Sequence, residues 1–298
     1  MRDADGVIRQ LEQEFASLSP QLQIAARYVL DAPNDIAMHS MRAVAERASV
    51  HPSTMVRLAK QLGFDGYATF RDSYRERLQH RAGTLTARAH RLRRRASSAP
   101  DASLFAELHD AATRNAELTL ANTSPEALSA AAKRLHDSRR VYVVGMRKCF
   151  PVAYFIHYCC RMCRENVRLV SGFAGMLADD LRGISAEDTM VAIGYDPYTR
   201  ETVLAAEDAA EHGAYVIAIT DSSVSTIASH AQQVFVVSNG GPTFFRSVAS
   251  AMTLAEALIA FLLAQGGEDS LGHLRDTERQ LERYRTYWDE AAGLRGQA

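Results

Sequence analysis

The chain has 298 residues, of which 47% are hydrophobic, and its 34 Lys and Arg against 35 Asp and Glu leave a net charge of −1. That length exceeds one typical domain and the composition is globular, so two domains are expected. No uninterrupted apolar run of about 18 or more residues appears, and the N-terminal MRDADGVIRQLEQ is too charged for a signal peptide, which together argue for a cytoplasmic protein with no membrane partner.

The near-zero charge conceals a division. Residues 1–100 hold 16 Lys and Arg and 10 Asp and Glu, net +6, whereas residues 101–298 hold 18 and 25, net −7. A basic first third on an acidic remainder fits a polyanionic partner for the first part only. The four cysteines, Cys149, Cys159, Cys160 and Cys163, lie close together rather than spread as a disulfide framework, as suits a reducing compartment.

In chain order, Asp3 to Phe15 reads as a helix with Val7, Ile8, Leu11 and Phe15 on one face. A second starts at Ser19 and Pro20, a cap followed by a first-turn proline, and carries Ala25, Tyr28 and Val29 on its apolar side. Ser40 can cap a third helix whose Met41, Val44, Ala45 and Ala48 recur at helical spacing, and Pro52 suits the first turn of the next. Ser49, Val50 and His51 join the two. Ala45, Met55 and Leu58 would meet across this turn, leaving Ser53, Thr54, Arg57 and Lys60 on an outer face, with Arg42 on the preceding helix. No carboxylate occurs from Ala48 through Leu62. Short hydroxyls at a helix N-terminus followed by an arginine one turn later suit the major groove of duplex DNA. Gly63 closes the helix, and Tyr67, Phe70, Tyr74 and Leu78 mark another amphipathic helix to Arg81.

The segments LSPQLQIAARYVLDAP and SMRAVAERASVHPSTMVRLAKQLGFDGYATFRD closely resemble the N-terminal domain of the RpiR family of bacterial transcriptional regulators. The likeness runs without a gap from about Leu18 to Leu78 and includes a distinctive LGF-x-G-[YF]-x-x-F pattern at Leu62, Gly63, Phe64, Gly66, Tyr67 and Phe70. It implies an all-α helix-turn-helix domain over residues 1–80 that binds double-stranded operator DNA. Residues 81–103 read as a basic linker with Arg81, Arg88, Arg91, Arg93, Arg94 and Arg95. Such a run serves either as a solvated, partly helical connection or as a phosphate contact that adds salt-sensitive affinity.

Beyond Asp101 the pattern changes. Leu104 to Leu120 and Pro125 to His136 are helical, and then short apolar runs alternate with helices: 141–145, 167–170, 189–194, 214–220 and 234–238. Strands of this kind are buried on both faces, so a five-stranded parallel sheet sandwiched by helices is expected over 104–290. A long helix from Pro242 to Gln265 and a charged one from Leu271 to Trp288 complete the chain. Ligands of open α/β sheets sit at the carboxyl ends of strands, which singles out the loops Gly145 to Phe150 and Gly194 to Glu201. Arg147 and Lys148 beside a helix N-terminus make an anion site, with Cys149, Tyr195, Asp196, Thr199, Arg200 and Glu201 as further effector-binding candidates.

The order strand, GMRKC, helix, strand, then YDPYTRETV and ITDS resembles a SIS domain, the sugar isomerase fold that RpiR regulators use to sense phosphosugars, over about Leu128 to Leu263. Two departures stand out against that resemblance. Arg147 and Cys149 replace the second glycine and the serine of G-x-G-x-S; Gly194, Asp196 and Pro197 stand where Ser, Ser and Gly are usual. In the second loop two hydroxyl donors are thus missing and a carboxylate is added, so a ligand with a carboxylate or several hydroxyls competes with a phosphosugar. Cys160 and Cys163 read as buried structural thiols rather than a metal or redox pair, and Tyr154, Phe155 and Tyr158 as core or subunit contacts.

These readings imply a homodimeric or homotetrameric regulator with no catalytic residues, metal or cofactor, responding to a sugar phosphate or related acid. The alternative is an aldose-ketose isomerase with an accessory helical domain, for which Glu201 would be the base. A DNA-binding protein whose sheet domain only dimerises is a third.

Overall fold

The computed structural model describes residues 7, 8, 10, 11, 14–82, 85–98 and 101–288. The chain divides into two compact units, Met1–His90 and Arg91–Ala298. The first is helical: α1 (Pro20–Asp31), α2 (Pro33–Met38), α3 (Met41–Arg47), α4 (Pro52–Gln61) and α5 (Tyr67–Ala82) follow one another, and α6 (Leu85–Ser98) contains the division. The expected helix from Asp3 lies partly outside the described residues; of its apolar set, Val7, Ile8 and Leu11 are buried. Ala25 and Val29 of α1, Val44 and Ala45 of α3, Met55 and Leu58 of α4, and Phe70 and Tyr74 of α5 share one core.

The expected linker is helical over Leu85–Ser98, where arginine, alanine and leucine are all good helix formers and no proline or glycine intervenes.

In the second unit α7 (Asp101–Ala121) and α8 (Pro125–Asp137) precede an alternating series. These elements are β1 (Val141–Val144), α9 (Phe150–Cys163), β2 (Val167–Val170), α10 (Leu177–Leu181), β3 (Thr189–Gly194), α11 (Arg200–Glu211), β4 (Tyr215–Thr220) and β5 (Gln233–Val236). Helices α12 (Ala249–Gln265) and α13 (Gly267–Arg283) follow. The strands pair in parallel throughout, in the order β2-β1-β3-β4-β5. Each strand alternates its side chains between two cores. Val141, Val143, Val191, Ile193, Ile217 and Ile219 face α8, α9 and α12; Tyr142, Val144, Met190, Ala192, Val216 and Ala218 face α10 and α11. Both faces being covered explains why the strands read as continuous apolar runs.

The helix expected from Pro242 begins only at Ala249. Two glycines, Gly240 and Gly241, favour an open path there, and α7 holds it: Asn115 donates to the Gly240 carbonyl at 2.6 Å, and Ser238 N donates to Thr119 Oγ1 at 2.9 Å. Among the described residues no single helix is long and apolar enough to cross a membrane; α12, the most apolar, contributes six buried residues to the unit's interior.

Candidate functional site

The paired helices α3 and α4 are built from their caps inward. Ser40 Oγ accepts from Ala43 N at 3.3 Å and starts α3. At its end Ala48, Ser49 and Val50 form the turn: Ser49 N donates to Glu46 O, Val50 N donates to Ala45 O, and Ser49 takes a left-handed φ of 55°. The same pattern ends α4, where Gly63 has φ 82° and Phe64 N donates to Ala59 O. Both are the 6→1 closure in which the residue after the C-cap turns left-handed. His51 caps α4, its Nδ1 accepting from Ser53 N at 3.3 Å and lying 2.8 Å from Ser53 Oγ.

This geometry sorts the DNA-facing candidates. Ser53, Arg57 and Lys60 are exposed along one side of α4, Gln61 extends that side, and Arg42 is exposed on α3. Among the described residues neither Arg57 nor Lys60 has an ion-pair partner. Thr54 corrects the sequence reading. It is buried, because it stands one turn before Leu58 on the stripe that packs into the core. Arg47, which the sequence did not separate from its neighbours, is committed elsewhere: its guanidinium meets Asp35 at 2.7 Å, and the Tyr28 hydroxyl donates to the same carboxylate at 2.6 Å. The Tyr28 hydrogen bond, then that of Arg47, holds the Asp35 carboxyl below its usual range.

In the second unit the expected effector loops come together because β1 and β3 are neighbours in the sheet while the chain leaves them toward opposite faces. This is the switch point where open sheets form a crevice. Gly145 leaves β1 in a tight space: a Cβ there would lie 3.1 Å from both Ala153 Cβ and the Cys149 carbonyl. Arg147 follows with φ 53°, a left-handed conformation at the position where the resemblance led one to expect glycine. Lys148 is half-buried and spans the crevice, donating to the Asp196 carbonyl at 3.1 Å. Burial pulls its ammonium below the usual lysine range, against the opposing pull of Cys149 and Asp221.

Asp196 is half-buried, Thr199 stands at the N-cap position of α11 without a side-chain capping bond, and Arg200 and Glu201 are exposed on the first turn of that helix. Two candidates sit deeper than expected. Cys149 is packed in the sheet core with its thiol pushed up to about 11 by burial, so it is no thiolate. Tyr195 is 1% exposed, and its buried hydroxyl has no hydrogen-bond partner among the described residues.

Asp221, the first residue after β4, was missed as a site residue although the strand-end rule points to it. Its Oδ1 accepts from the Tyr198 hydroxyl at 2.6 Å, and its Oδ2 accepts from Asp196 N at 3.3 Å. Arg246, in the loop after β5, also acts electrostatically on Lys148; nothing in local sequence distinguishes it. Phe244 and Phe245 are exposed in that loop, their rings 4.2 Å apart. Away from these strand ends, a concavity of about 680 Å³ is lined by α10 and α11 residues including Leu181, Leu204, Glu207 and His212.

Tyr154 and Tyr158 line the exposed side of α9, stacked in series with Phe150, whereas Phe155 packs against the sheet core.

Comparison with known proteins matches both units. Residues 5–81 match the helix-turn-helix domain of the rpiR family, and residues 134–262 match the SIS domain. The chain is 23% identical over 283 residues to the HTH-type transcriptional regulator YfhH of Escherichia coli, covering 94% of this chain and 99% of that protein. An HTH-type transcriptional regulator of Haemophilus influenzae is 22% identical over 276 residues, covering 90% and 93%. Among solved structures, the sugar isomerase domain of an RpiR transcription factor from Sphaerobacter thermophilus is 29% identical with a TM-score of 0.56, over 59% of this chain and 98% of that one. The Vibrio vulnificus NanR protein complexed with ManNAc-6P is 18% identical with a TM-score of 0.55, over 93% and 98%.

Proposed function

Since the chain belongs to the RpiR family of helix-turn-helix transcriptional regulators, we propose that α4 reads operator DNA through Ser53, Arg57 and Lys60, with Arg42 contacting phosphate. The crevice between the β1 and β3 loops binds a small anionic or polyhydroxylated metabolite, in the phosphosugar or sugar-acid class, that sets the activity of genes for carbohydrate use. The observation that carries the DNA reading is the exposed side of α4, whose two cations have no ion-pair partner among the described residues and which bears no carboxylate. A long, hydrogen-bonding cation on a helix of this size matches a guanine edge, and a compact one matches a phosphate.

The effector reading is supported by the half-buried Lys148 facing Asp196 and Asp221 at the sheet's switch point. The NanR neighbour, solved with a sugar phosphate, supports the same class. The protein works in the cytoplasm as a homodimer or homotetramer, because one helix in one groove specifies few base pairs and paired half-sites about 10 bp apart multiply the selectivity. It carries out no reaction.

Selection from a randomised duplex pool, followed by fluorescence anisotropy on the enriched sequence, tests the reading. The enriched duplex is expected to bind at least about 10³-fold tighter than a scrambled one at physiological salt. Arg57→Ala is expected to weaken specific binding by about 1 to 3 kcal/mol. Equal affinity of the wild-type protein for enriched and scrambled duplexes contradicts it.

A further inference from the structure

The first turn of α4 has its own donors engaged. Pro52 has no N–H, the Ser53 N–H is held by His51 Nδ1 at 3.3 Å, and the Thr54 N–H by the His51 carbonyl at 2.8 Å. A helix N-terminus ordinarily offers such groups to a phosphate. Here the turn closes on its cap instead.

That cap fixes where the imidazole carries its proton. Ser53 N can only donate, so the nitrogen it meets accepts, and Nδ1 is bare. A proton on Nδ1 would set two N–H groups against each other. The ring is therefore neutral with its hydrogen on Nε2, and the Ser53 hydroxyl, 2.8 Å from Nδ1, turns its own hydrogen toward the same lone pair. Nε2 lies on the far edge of the ring of an exposed residue, and among the described residues no hydrogen bond or ion pair reaches it. The hydroxyl contact places the ring beside Ser53, on the side of α4 that also carries Arg57 and Lys60. Carboxylates are missing from Ala48 through Leu62, so no anion of this segment competes for the donor.

Resting on the DNA reading above, we propose that His51 is a further contact to the duplex, donating its uncharged Nε2–H to a backbone phosphate oxygen. An N-cap stands at the end of the helix from which proteins commonly hold phosphate oxygens, whereas residues further along reach base edges. A neutral donor displaces no counterion, so it adds affinity and register without adding to the salt dependence.

Operator duplexes in which single phosphates are replaced by neutral methylphosphonates, titrated by fluorescence anisotropy with the wild-type protein and with His51→Gly, test this. Glycine is tolerated at an N-cap, so His51→Gly is expected to keep its urea midpoint close to that of the wild type. It is expected to bind the operator about 3- to 10-fold more weakly, with an unchanged salt slope. At one phosphate position the two losses are expected not to add: the methylphosphonate weakens the wild type and leaves His51→Gly nearly unaffected. Losses that add at every phosphate, the outcome of a purely structural cap, overturn the proposal. So does a salt slope shallower by about one in the variant, which marks a charged contact, or a coupling to a base substitution in place of any phosphate. If His51→Gly unfolds, as judged by circular dichroism, long-range proton–nitrogen spectra of the operator-bound wild type decide. His51 is expected to be protonated at Nε2 alone, and a proton on Nδ1 overturns the proposal. Additive losses beside intact operator selectivity remove this contact alone; a wild type that binds operator and scrambled duplexes equally removes the DNA reading with it.

Discussion

Ser49 holds a backbone conformation that L-residues seldom adopt, φ 55° at the position where α3 hands over to the turn. Gly63 performs the same closure at the end of α4 without that strain. Ser49→Gly is therefore expected to stabilise the helical unit by about 0.5 to 1 kcal/mol, read as a raised urea midpoint. A lowered midpoint would mean that the serine side chain contributes more than its backbone costs. Asp188 presents the opposite case, a buried charge that is fully served. Burial alone would raise its carboxyl, but Arg139 and Ser185 surround it: Arg139 donates from Nε at 3.0 Å and from a terminal nitrogen at 2.6 Å, and Ser185 N donates at 2.9 Å. These hold it below the ordinary value of 3.8. A carboxyl lowered in the folded state stabilises above its unfolded value and ceases to as pH falls through the folded one. Stability is thus expected to hold from pH 7 to about 5 and to fall below about 4, and Asp188→Asn to cost about 2 to 3 kcal/mol at pH 7 while flattening that acid limb. A steep acid limb retained in the variant would assign it to other carboxylates.

At the scale of elements, the five strands were legible because both faces of the sheet are covered, so β-branched runs such as VYVV and TMVAIG could be little else. Helix α4 was legible in its limits, through Pro52 and Gly63, and less so in its orientation. Thr54 and Arg57 lie only about 60° apart around the axis at 3.6 residues per turn, and a hydroxyl carries too little hydrophobic signal to say which side it takes. The start of the helix after β5 was misread as Pro242 because the path there is set by contacts far away in the chain, from Asn115 to Gly240 and from Thr119 to Ser238. No local pattern contains those contacts. Arg246 escaped notice for the same reason, since its place near Lys148 depends on where that loop is held. Asn115→Ala removes the donor to Gly240 and the acceptor for Ser238 Oγ. It is expected to cost about 1 to 2 kcal/mol in unfolding experiments and to weaken ligand binding by loosening Arg246. Unchanged affinity would show that the loop holds its place without α7.

For the whole molecule, the division between a basic first third and an acidic remainder assigns the two tasks to separate units. The helix-turn-helix and SIS units were visible in composition and motif before any coordinates, whereas the contact of Asp221, at the end of β4, with the loop after β3 was not, because it joins residues far apart in the chain. Operator affinity is expected to fall steeply with salt, as phosphate contacts release counterions. The most direct measurement is the coupling between the units: the dissociation constant of the selected operator measured with and without saturating ligand, and that of the ligand measured with and without saturating operator. Linkage requires the two constants to change by the same factor, and a factor of about 5 to 150 is expected. A factor of one in both titrations, with each partner bound, would contradict the claim that this protein is a ligand-responsive regulator.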